Sequence, residues 1–497
     1  MKRFFELCLL CGAMSAHASG FYFGDNGAKA MVQGGAFAAQ ADDLTAMQYN
    51  PAGLTQLGGF SFLADLDLIR HDVSFHRQDP GFDPANPNAQ IQVVKSNPAP
   101  FFLPFFGASY GFKLANRPFT VALGLFAPPS QGRYDYPTPN YTKKDNGDFL
   151  ESPIKYAPQR YALISTNILI AYPTLSLAYA IHQRFQVGIS AQLTVSQFQQ
   201  TQTLYGGDAL GFNPMKQREE DPNYDATVAI DLPGQVGFTG ILGLMAQPFD
   251  WLSLGASVRP AIPFKAKGKF TAELSDYFKA QGASINGDVA TLTMTMPWEV
   301  KVGARVTPMA NLGINFDFVY QGWDSVDQLL LTPENVTLTA LGNSSPIVPF
   351  GVKKNWHATW SVRLGASYRI MKYVSVSLGA LYETGAAPTA TYSVDWTHPT
   401  RFIFTGGVTG HLGPLDVIVG AMFTPTNTTV VTDSQVLRGQ TNPDIVAGPV
   451  GNGIYTSGGY GIILGVRGNF GSIVPNASKP SAPVEPKADE PVAAPAS

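Results

Sequence analysis

Residues 107–111, Gly-Ala-Ser-Tyr-Gly, match the pattern G-x-S-x-G, which in some hydrolases presents a nucleophilic serine. That chemistry needs a sharp turn between a strand and a helix, so that the hydroxyl is exposed. Ser109 instead lies in a stretch that alternates apolar and polar residues, as one polar residue of a strand. His71 and His76 lack the spacing of metal ligands, and the sequence has no glycine-rich phosphate loop. We therefore predict that the protein is not an enzyme and has no catalytic residue, metal site or cofactor.

Alternation of apolar and polar residues recurs along most of the chain. Between Phe185 and Ser196 it runs without a break, with Ile189 on the apolar side and Ser190 on the polar side. A period of two gives a strand one apolar and one polar face. We predict about 14 such strands, at 60–70, 104–114, 118–127, 170–181, 185–200, 235–246, 252–270, 286–307, 311–325, 356–370, 373–388, 401–411, 415–425 and 457–470.

The connections between these strands alternate between short and long. Tight links such as 182–184, 308–310 and 412–414 separate long segments such as 128–169 and 326–355. Transmembrane barrels have short periplasmic turns and long outer loops, with both chain ends on the periplasmic side. The sequence therefore predicts an all-β fold, a 14-stranded antiparallel transmembrane β-barrel that passes many times through an outer membrane.

Charged residues are confined to one face of the predicted strands. Lysine or arginine facing lipid at the midplane costs ~2–4 kcal/mol, so this segregation favours a membrane barrel over a soluble β-sandwich. Charged residues make up only 14% of the chain, against roughly 25% in soluble domains, and the net charge is −3. We expect outer-membrane lipid as a partner and no nucleic acid. The charges on the polar faces are Lys301, Arg305, Asp317, Arg363, Arg369, Asp416 and Arg467.

The two ends of the chain differ from the predicted barrel, which occupies residues 58–470. Residues 1–18 begin with a basic pair, continue with an apolar stretch and end in Ala-His-Ala, which predicts a removed signal peptide. Both cysteines lie within it, so the mature chain has no disulfide framework. Residues 471–497 are rich in proline and alanine, which predicts a disordered periplasmic tail.

The segment that precedes the first strand, residues 19–57, is too irregular to be a strand itself. It contains the acidic pair Asp42 and Asp43, followed by Asn50, Pro51 and Ala52. With this motif placed before about 14 strands, the sequence resembles the FadL/TodX outer-membrane transporters of hydrophobic compounds. The resemblance covers residues 19–470, and its further similar stretches are 240–270, 297–324, 356–388 and 399–402.

The resemblance implies a barrel plugged by residues 19–57, an N-terminal hatch. Pro51 lacks a backbone donor and has a fixed φ, and Asn50 favours turns, so we expect a rigid turn within the hatch. The alternative is an ordinary turn that enters the first strand. The resemblance also implies that outer loops capture the ligand, which enters an interior pocket and leaves sideways into the bilayer through a gap at a kinked strand. The expected ligands are long-chain fatty acids or aromatic hydrocarbons, carried passively by a monomer. A nonspecific porin, or an adhesin displayed on a barrel, is the alternative, although a general porin has no need of a plug.

Charges of the hatch and the lumen are the candidate polar sites. The carboxylates of Asp42 and Asp43 are expected to pair with Arg305, Arg369 or Arg467 near the periplasmic rim.

For a ligand carboxylate, the inward-facing cations nearest mid-depth are Lys301 and Arg363. Lys353 and Lys354 are expected near an outer loop. Alternatively, each of these cations only makes the lumen wall polar and binds no ligand. The fifth strand carries glutamines rather than basic residues, which leaves neutral hydrophobes open as ligands: Gln197, Gln199 and Gln200.

Aromatic and proline-rich segments at residues 101–106 and 134–141 are the candidate apolar site. Phe101, Phe102, Phe105 and Phe106 are predicted either to form a ligand cleft or to belong to an aromatic belt at the membrane interface. Gly124, inside the third strand, is the candidate kink, because glycine weakens strand pairing locally.

Overall fold

The computed structural model describes residues 26–78, 91–98, 100–127, 133–139, 157–206, 220–340, 342–397, 399–438 and 449–471. The predicted signal peptide, residues 19–25 of the predicted hatch, and the predicted tail beyond residue 471 lie outside these ranges. Within these ranges there are three short helices, α1 (Ala28–Met31), α2 (Ala46–Tyr49) and α3 (Asp276–Ala280). None of the helices in the described ranges is long and apolar enough to cross a membrane.

Strands make up most of the described chain, and short 3₁₀ turns interrupt them at Pro51–Gln56, Pro222–Tyr224, Trp323–Ser325 and Thr389–Thr391. The strands are β1 (Gly59–Arg77), β2 (Val94–Lys95), β3 (Phe101–Leu114), β4 (Arg117–Phe126), β5 (Arg133–Asp135), β6 (Ser165–His182), β7 (Phe185–Tyr205), β8 (Asp225–Phe249), β9 (Leu252–Arg259), β10 (Ile262–Leu274), β11 (Ser284–Asn286), β12 (Val289–Met296), β13 (Glu299–Met309), β14 (Leu312–Gln321), β15 (Gln328–Glu334), β16 (Thr337–Ala340), β17 (Asn343–Pro346), β18 (Phe350–Lys353), β19 (Thr359–Met371), β20 (Val374–Glu383), β21 (Arg401–Leu412), β22 (Leu415–Val431) and β23 (Gly453–Phe470).

Twenty of these segments form one antiparallel sheet that closes on itself. The first and last strands complete the ring, with Phe60 opposite Phe470 and Arg77 opposite Gly453. Five strands of the ring are broken into two segments each, and β2 is a short addition beside β1, so the barrel has the predicted 14 strands. Pairing of the first with the last strand removes the two outermost sheet edges, which is how a barrel satisfies their backbone groups in hydrocarbon. The broken strands are β4 with β5, β9 with β10, β12 with β13, β14 with β15, and β18 with β19.

The outer face of the barrel is apolar, and the predicted alternation in β7 is confirmed. Ile189 and Leu193 are exposed on the outside, whereas Ser190 and Gln192 are buried inside the barrel. Towards the outer loops, aromatic side chains on neighbouring strands touch one another around the wall. Their ring centroids are 5.0 Å apart for Trp298 and Tyr320, 5.5 Å for Trp360 and Tyr382, and 4.9 Å for Tyr382 and Phe402. Such a girdle is typical of a membrane interface.

The alternation reverses in the outer halves of two broken strands. In β10, Ile262 and Ala266 are buried inside the barrel while Lys265 and Lys267 are exposed, and β12 behaves in the same way. These halves lie on the outer-loop side of the breaks at residues 260–261 and 297–298. The apolar face of a strand points to lipid only within the hydrocarbon layer, so beyond it the apolar face turns to the interior.

Residues 26–57 lie inside the ring, and almost all of them are buried. Phe37, Met47 and Tyr49 belong to one apolar cluster with side chains of the wall and of the outer connections. A small separate sheet of β11, β16 and β17 is formed by outer connections. The barrel is therefore plugged by its N-terminal segment, the predicted hatch.

Candidate functional site

The hatch is attached to the wall through carboxylates that accept backbone hydrogen bonds. Asp317 Oδ2, on β14, accepts from the amides of Phe37 and Ala38, each at 2.7 Å. On β1, Asp65 Oδ2 accepts from the amide of Ala28 at 2.7 Å. Each such hydrogen bond contributes about 0.5–1.5 kcal/mol, so these aspartates together hold the hatch against the wall.

Asn50, Pro51 and Ala52 form the turn that joins hatch and wall. Asn50 Nδ2 donates to the carbonyl oxygens of Ala38, at 2.8 Å, and Leu244, at 2.9 Å. Its Oδ1 accepts from the amide of Ala52 at 3.2 Å and so caps the 3₁₀ turn that begins at Pro51. A side chain at Gly243 of β8 would collide with Asn50 and Pro51, so a glycine there permits the close approach.

The acidic pair of the hatch meets two of the three predicted arginines. Arg305 Nη1 is 3.6 Å from Asp42 Oδ2, and Arg467 Nη1 is 3.5 Å from Asp43 Oδ2. Arg369 is exposed at the rim and makes no ion pair within 4 Å among the described residues.

Asp42 also has a partner within the hatch, because Lys29 Nζ lies 2.6 Å from its Oδ1. Burial raises the pKa of the Asp42 carboxyl, but the positive charges of Lys29, Arg305 and Arg467 outweigh burial. The pKa of Asp42 is therefore held well below its ordinary value of 3.8. The carboxylate is ionised at neutral pH and tied to both hatch and wall.

The two mid-depth cations do not line an open chamber. Lys301 is buried in an ion pair with Glu299, and its Nζ lies 5.9 Å from the ring centroid of Tyr49 in the hatch. Arg363 is also buried, and its Nη1 donates to the carbonyl oxygen of Gly35 in the hatch at 3.3 Å. Both were predicted as candidate ligand sites, and the structure places both against the plug.

The two outer-loop lysines point in opposite directions. Lys353 is exposed at the end of β18. Lys354 is buried, with its Nζ 2.5 Å from Asp395 Oδ2 and 5.7 Å from the ring centroid of Trp396. The ring centroid of Trp356 is 5.2 Å from that of Trp396 and 5.4 Å from that of Trp323. Three indoles therefore pack beside this buried ion pair.

The four candidate phenylalanines divide between the two faces of one strand. They lie in β3 rather than in a loop, so alternation places Phe101 and Phe105 inside and Phe102 and Phe106 outside. Phe105 packs in the interior on Phe126, with ring centroids 4.8 Å apart. The prediction of one aromatic cleft is therefore wrong for Phe102 and Phe106, which project from the outer face.

Gly124 does not mark a kink in β4. Its neighbours pair without a shift of register, from Phe119 opposite Tyr179 to Phe126 opposite Tyr172. The side chain of Met47, in the hatch, occupies the space that a Cβ at Gly124 would need. The absence of a side chain at Gly124 instead leaves room for Met47 of the hatch.

A small apolar cavity of about 30 Å³, whose lining residues were not predicted from the sequence, lies on the outer-loop side of the barrel interior. A usable sequence signal existed in residues 168–172, which are apolar on both faces of a strand, whereas lumen positions of a barrel are usually polar. The cavity is lined by Ile168, Ile170, Tyr172, Thr194, Ser196, Gln197, Phe198, Ile262, Phe264, Met294 and Met296.

The wall beside this cavity has an interrupted ladder. β8 pairs with β10 as far as Asp231 opposite Lys269, and with β9 from Leu242 opposite Val258. Between these points the two strands do not pair with each other. Residues 232–241 of β8 and residues 259–268 on the facing strand therefore lack ladder partners on the sides that face each other. We call this interruption the wall slit. Ile262 and Phe264 belong both to the slit and to the cavity lining, so the cavity lies directly behind the slit.

Comparisons with known proteins agree with this architecture. The family model described as outer membrane protein transport protein (OMPP1/FadL/TodX) matches residues 9–435. A Neisseria meningitidis serogroup B protein, provisionally assigned to the outer membrane, is 21% identical over 436 residues, which cover 82% of this chain and 86% of that protein.

Solved structures share the fold at low sequence identity. A Pseudomonas aeruginosa FadL homologue is 16% identical with a TM-score of 0.67, covering 91% of this chain and 100% of its own. The Ralstonia pickettii toluene transporter TbuX is 17% identical with a TM-score of 0.60, covering 90% and 98%. The Pseudomonas putida toluene transporter TodX is 14% identical with a TM-score of 0.59, covering 91% and 100%. The chain therefore belongs to the OMPP1/FadL/TodX family of outer-membrane proteins that transport hydrophobic compounds.

Proposed function

We propose that this protein carries small uncharged hydrophobic molecules passively across the outer membrane and releases them sideways into the bilayer through the wall slit. The observation that carries the proposal is the apolar cavity directly behind an interrupted ladder in the wall. A ligand that leaves by this route goes from an apolar cavity to lipid without crossing the periplasmic end of the barrel.

The lining of the cavity favours an uncharged ligand. None of the residues that line it is charged. Burial of each methylene group contributes ~0.8 kcal/mol, whereas an ionised carboxylate buried without a partner is strongly unfavourable. The lining therefore suits aromatic hydrocarbons such as toluene better than ionised fatty acids.

Packed apolar side chains fill the interior between the outer connections and the cavity. Trp323, Trp356 and Trp396 belong to the same buried apolar cluster as Ile262 and Met294. A hydrophobic ligand that moves inward past these buried tryptophans therefore stays in apolar surroundings.

The plugged lumen supports a lateral exit over a straight pore. The hatch is hydrogen-bonded to β1, β8 and β14 through Asp65, Leu244 and Asp317. A route through the plug would break these bonds, whereas the slit avoids them. The same attachments disfavour the nonspecific porin.

The proposal is tested by filling the cavity. Ile170→Trp places a larger side chain in the lining, and Leu169→Trp makes the same kind of change on the outer face of the same strand. Cells carrying each variant are assayed for initial uptake of labelled toluene, labelled oleate and a hydrophilic sugar. We expect Ile170→Trp to reduce toluene uptake at least tenfold and Leu169→Trp to leave it unchanged.

Folding is checked by heat-modifiable migration on gels, because overpacking can cost 1–3 kcal/mol. Equal toluene uptake by folded Ile170→Trp and the unmodified protein would contradict the route through the cavity. Oleate uptake without toluene uptake would contradict the uncharged ligand class but keep a hydrophobe transporter. Sugar leakage without uptake of either hydrophobe would indicate a porin.

A further inference from the structure

A row of polar side chains crosses five strands on the outer face of the barrel. Arg133 of β5 lies opposite Asn167 of β6, which lies opposite Gln199 of β7. Gln199 lies opposite Asp231 of β8, which lies opposite Lys269 of β10. Since neighbouring strands are ~4.8 Å apart, the row extends for roughly 19 Å around the wall. We call these five residues the polar row.

The polar row lies immediately beyond the apolar outer face. Leu169, two residues from Asn167 along β6, is 60% exposed. Val236 and Phe238, further along β8 from Asp231, are 69% and 68% exposed. The height of the row is therefore that of the head groups of the outer leaflet, directly above acyl chains that cover these apolar residues.

Besides Lys269 of the row, two further lysines of β10 add positive charge between the row and the apolar face. Lys265, Lys267 and Lys269 are exposed on one face of β10 at alternate positions. Lys267 pairs with Glu334, whereas Lys265 and Lys269 have no ion pair within 4 Å among the described residues. Three carboxylates lie on or beside this strip, namely Asp231, Glu334 and Glu273, which is on the same face of β10 and pairs with Lys279. With Lys279 included, four lysines face these three carboxylates.

The side chains of the row suit a sugar as well as a phosphate. Asn167 Nδ2 donates to Gln199 Oε1 at 3.1 Å, and each amide keeps further groups for hydrogen bonds with hydroxyls. A shallow surface cleft lies against Arg133, Asn167, Gln199 and Asp231. Amides beside a cleft and lysines beside lipid together match a phosphorylated sugar that carries acyl chains.

We propose that the polar row and the lysines of β10 form a docking site for a phosphorylated glycolipid of the outer leaflet. Its phosphate groups contact Lys265 and Lys269, its sugars contact Asn167 and Gln199, and its acyl chains cover the apolar face below. The site is on the outer surface and is independent of the ligand that the interior cavity carries. The bound glycolipid borders the wall slit, because Lys265 and Lys267 belong to residues 259–268, which lack a ladder partner on the side of β8.

The test uses the full-length protein in phosphatidylcholine nanodiscs, titrated with lipopolysaccharide of truncated core. Native mass spectrometry measures the number of bound glycolipids and the apparent Kd. The variant Lys265→Gln/Lys267→Gln/Lys269→Gln removes the three lysines of β10. Since each cation near an anionic lipid surface contributes on the order of a factor of five, we expect binding at least tenfold weaker.

The matched control removes three exposed cations at the opposite, periplasmic end, as Lys113→Gln/Arg184→Gln/Lys372→Gln. We expect its apparent Kd to stay within twofold of the unmodified protein. Dephosphorylated lipopolysaccharide should bind both variants equally weakly. Equal binding of phosphorylated lipopolysaccharide by the lysine variant and the control would overturn the proposal, and so would an equal loss in both. Heat-modifiable migration on gels confirms that each variant is folded.

Discussion

The side-chain amide of Asn50, in the hatch, donates a 2.9 Å hydrogen bond to the carbonyl oxygen of Leu244 in the wall. This bond joins the Asn-Pro-Ala turn to β8, the strand that forms one side of the wall slit. The seal of the lumen and the shape of the slit are therefore coupled through one strand.

We expect Asn50→Ala to loosen the hatch, because it removes the bonds to Leu244 and Ala38. Loss of a buried hydrogen-bonding partner costs about 1–3 kcal/mol. The conductance of the purified protein in planar bilayers should rise, with more frequent openings. Thr55→Ala is the matched control, since the Thr55 hydroxyl bonds Ala52 within the hatch. Equal conductance in both variants would show that Asn50 does not hold the seal.

Asp317 should control the local stability of the first part of the hatch. Its carboxylate accepts the amides of Phe37 and Ala38, and Asp317→Leu leaves both amides without this acceptor. Hydrogen exchange of these two amides should accelerate at least tenfold, since 1.4 kcal/mol corresponds to a factor of ten. Exchange around α2, which Asp317 does not contact, serves as the internal reference. Unchanged exchange at Phe37 and Ala38 would contradict this attachment.

The contribution of Asp42 to the stability of the attached hatch should be independent of pH near neutrality. A carboxyl whose pKa is lowered by folding stabilises the folded state above its unfolded pKa, and this contribution is lost as pH falls through the folded pKa. The pKa of Asp42 is lowered from 3.8 by Lys29, Arg305 and Arg467 despite burial.

The measurement is the conductance in planar bilayers of the unmodified protein and of Asp42→Asn. The difference between the two conductances isolates the contribution of Asp42 to hatch stability from that of other acidic groups. We expect it to be constant from pH 8 to about pH 5 and to shrink only below the ordinary value of 3.8. A difference that disappears between pH 8 and pH 5 would show that Asp42 is not held ionised by these partners.

The sequence predicts the membrane-facing wall well, because hydrocarbon tolerates only one arrangement of a strand. Phe185 to Ser196 alternate without a break, and the structure places Ile189 outside and Ser190 inside. The same rule misassigns β10 and β12 when it is applied beyond the hydrocarbon. There Met294 faces inward and the neighbouring Thr293 outward, although the period is unchanged.

Contacts between distant parts of the chain could not be predicted in the same way. The bond between Arg363 and Gly35 joins residues 328 positions apart, and no local pattern indicates it. Lys301 and Arg363 were correctly placed on the polar face, but their partners depend on how the hatch packs. The wall slit depends on where β8 stops pairing with β9 and β10, which the alternation of β8 does not reveal.

The wall slit predicts an unusual pattern of hydrogen exchange within β8. Alternate amides between residues 235 and 241 point towards the slit, where residues 259–268 offer no ladder partner. Unpaired backbone groups cost several kcal/mol in hydrocarbon, so the slit must admit water or a ligand. Every second amide in this segment should exchange at least 100-fold faster than those of Leu242 and Leu244, which are paired on both sides. Saturating toluene should slow this exchange, whereas uniform protection along β8 would show that the wall is closed in the membrane.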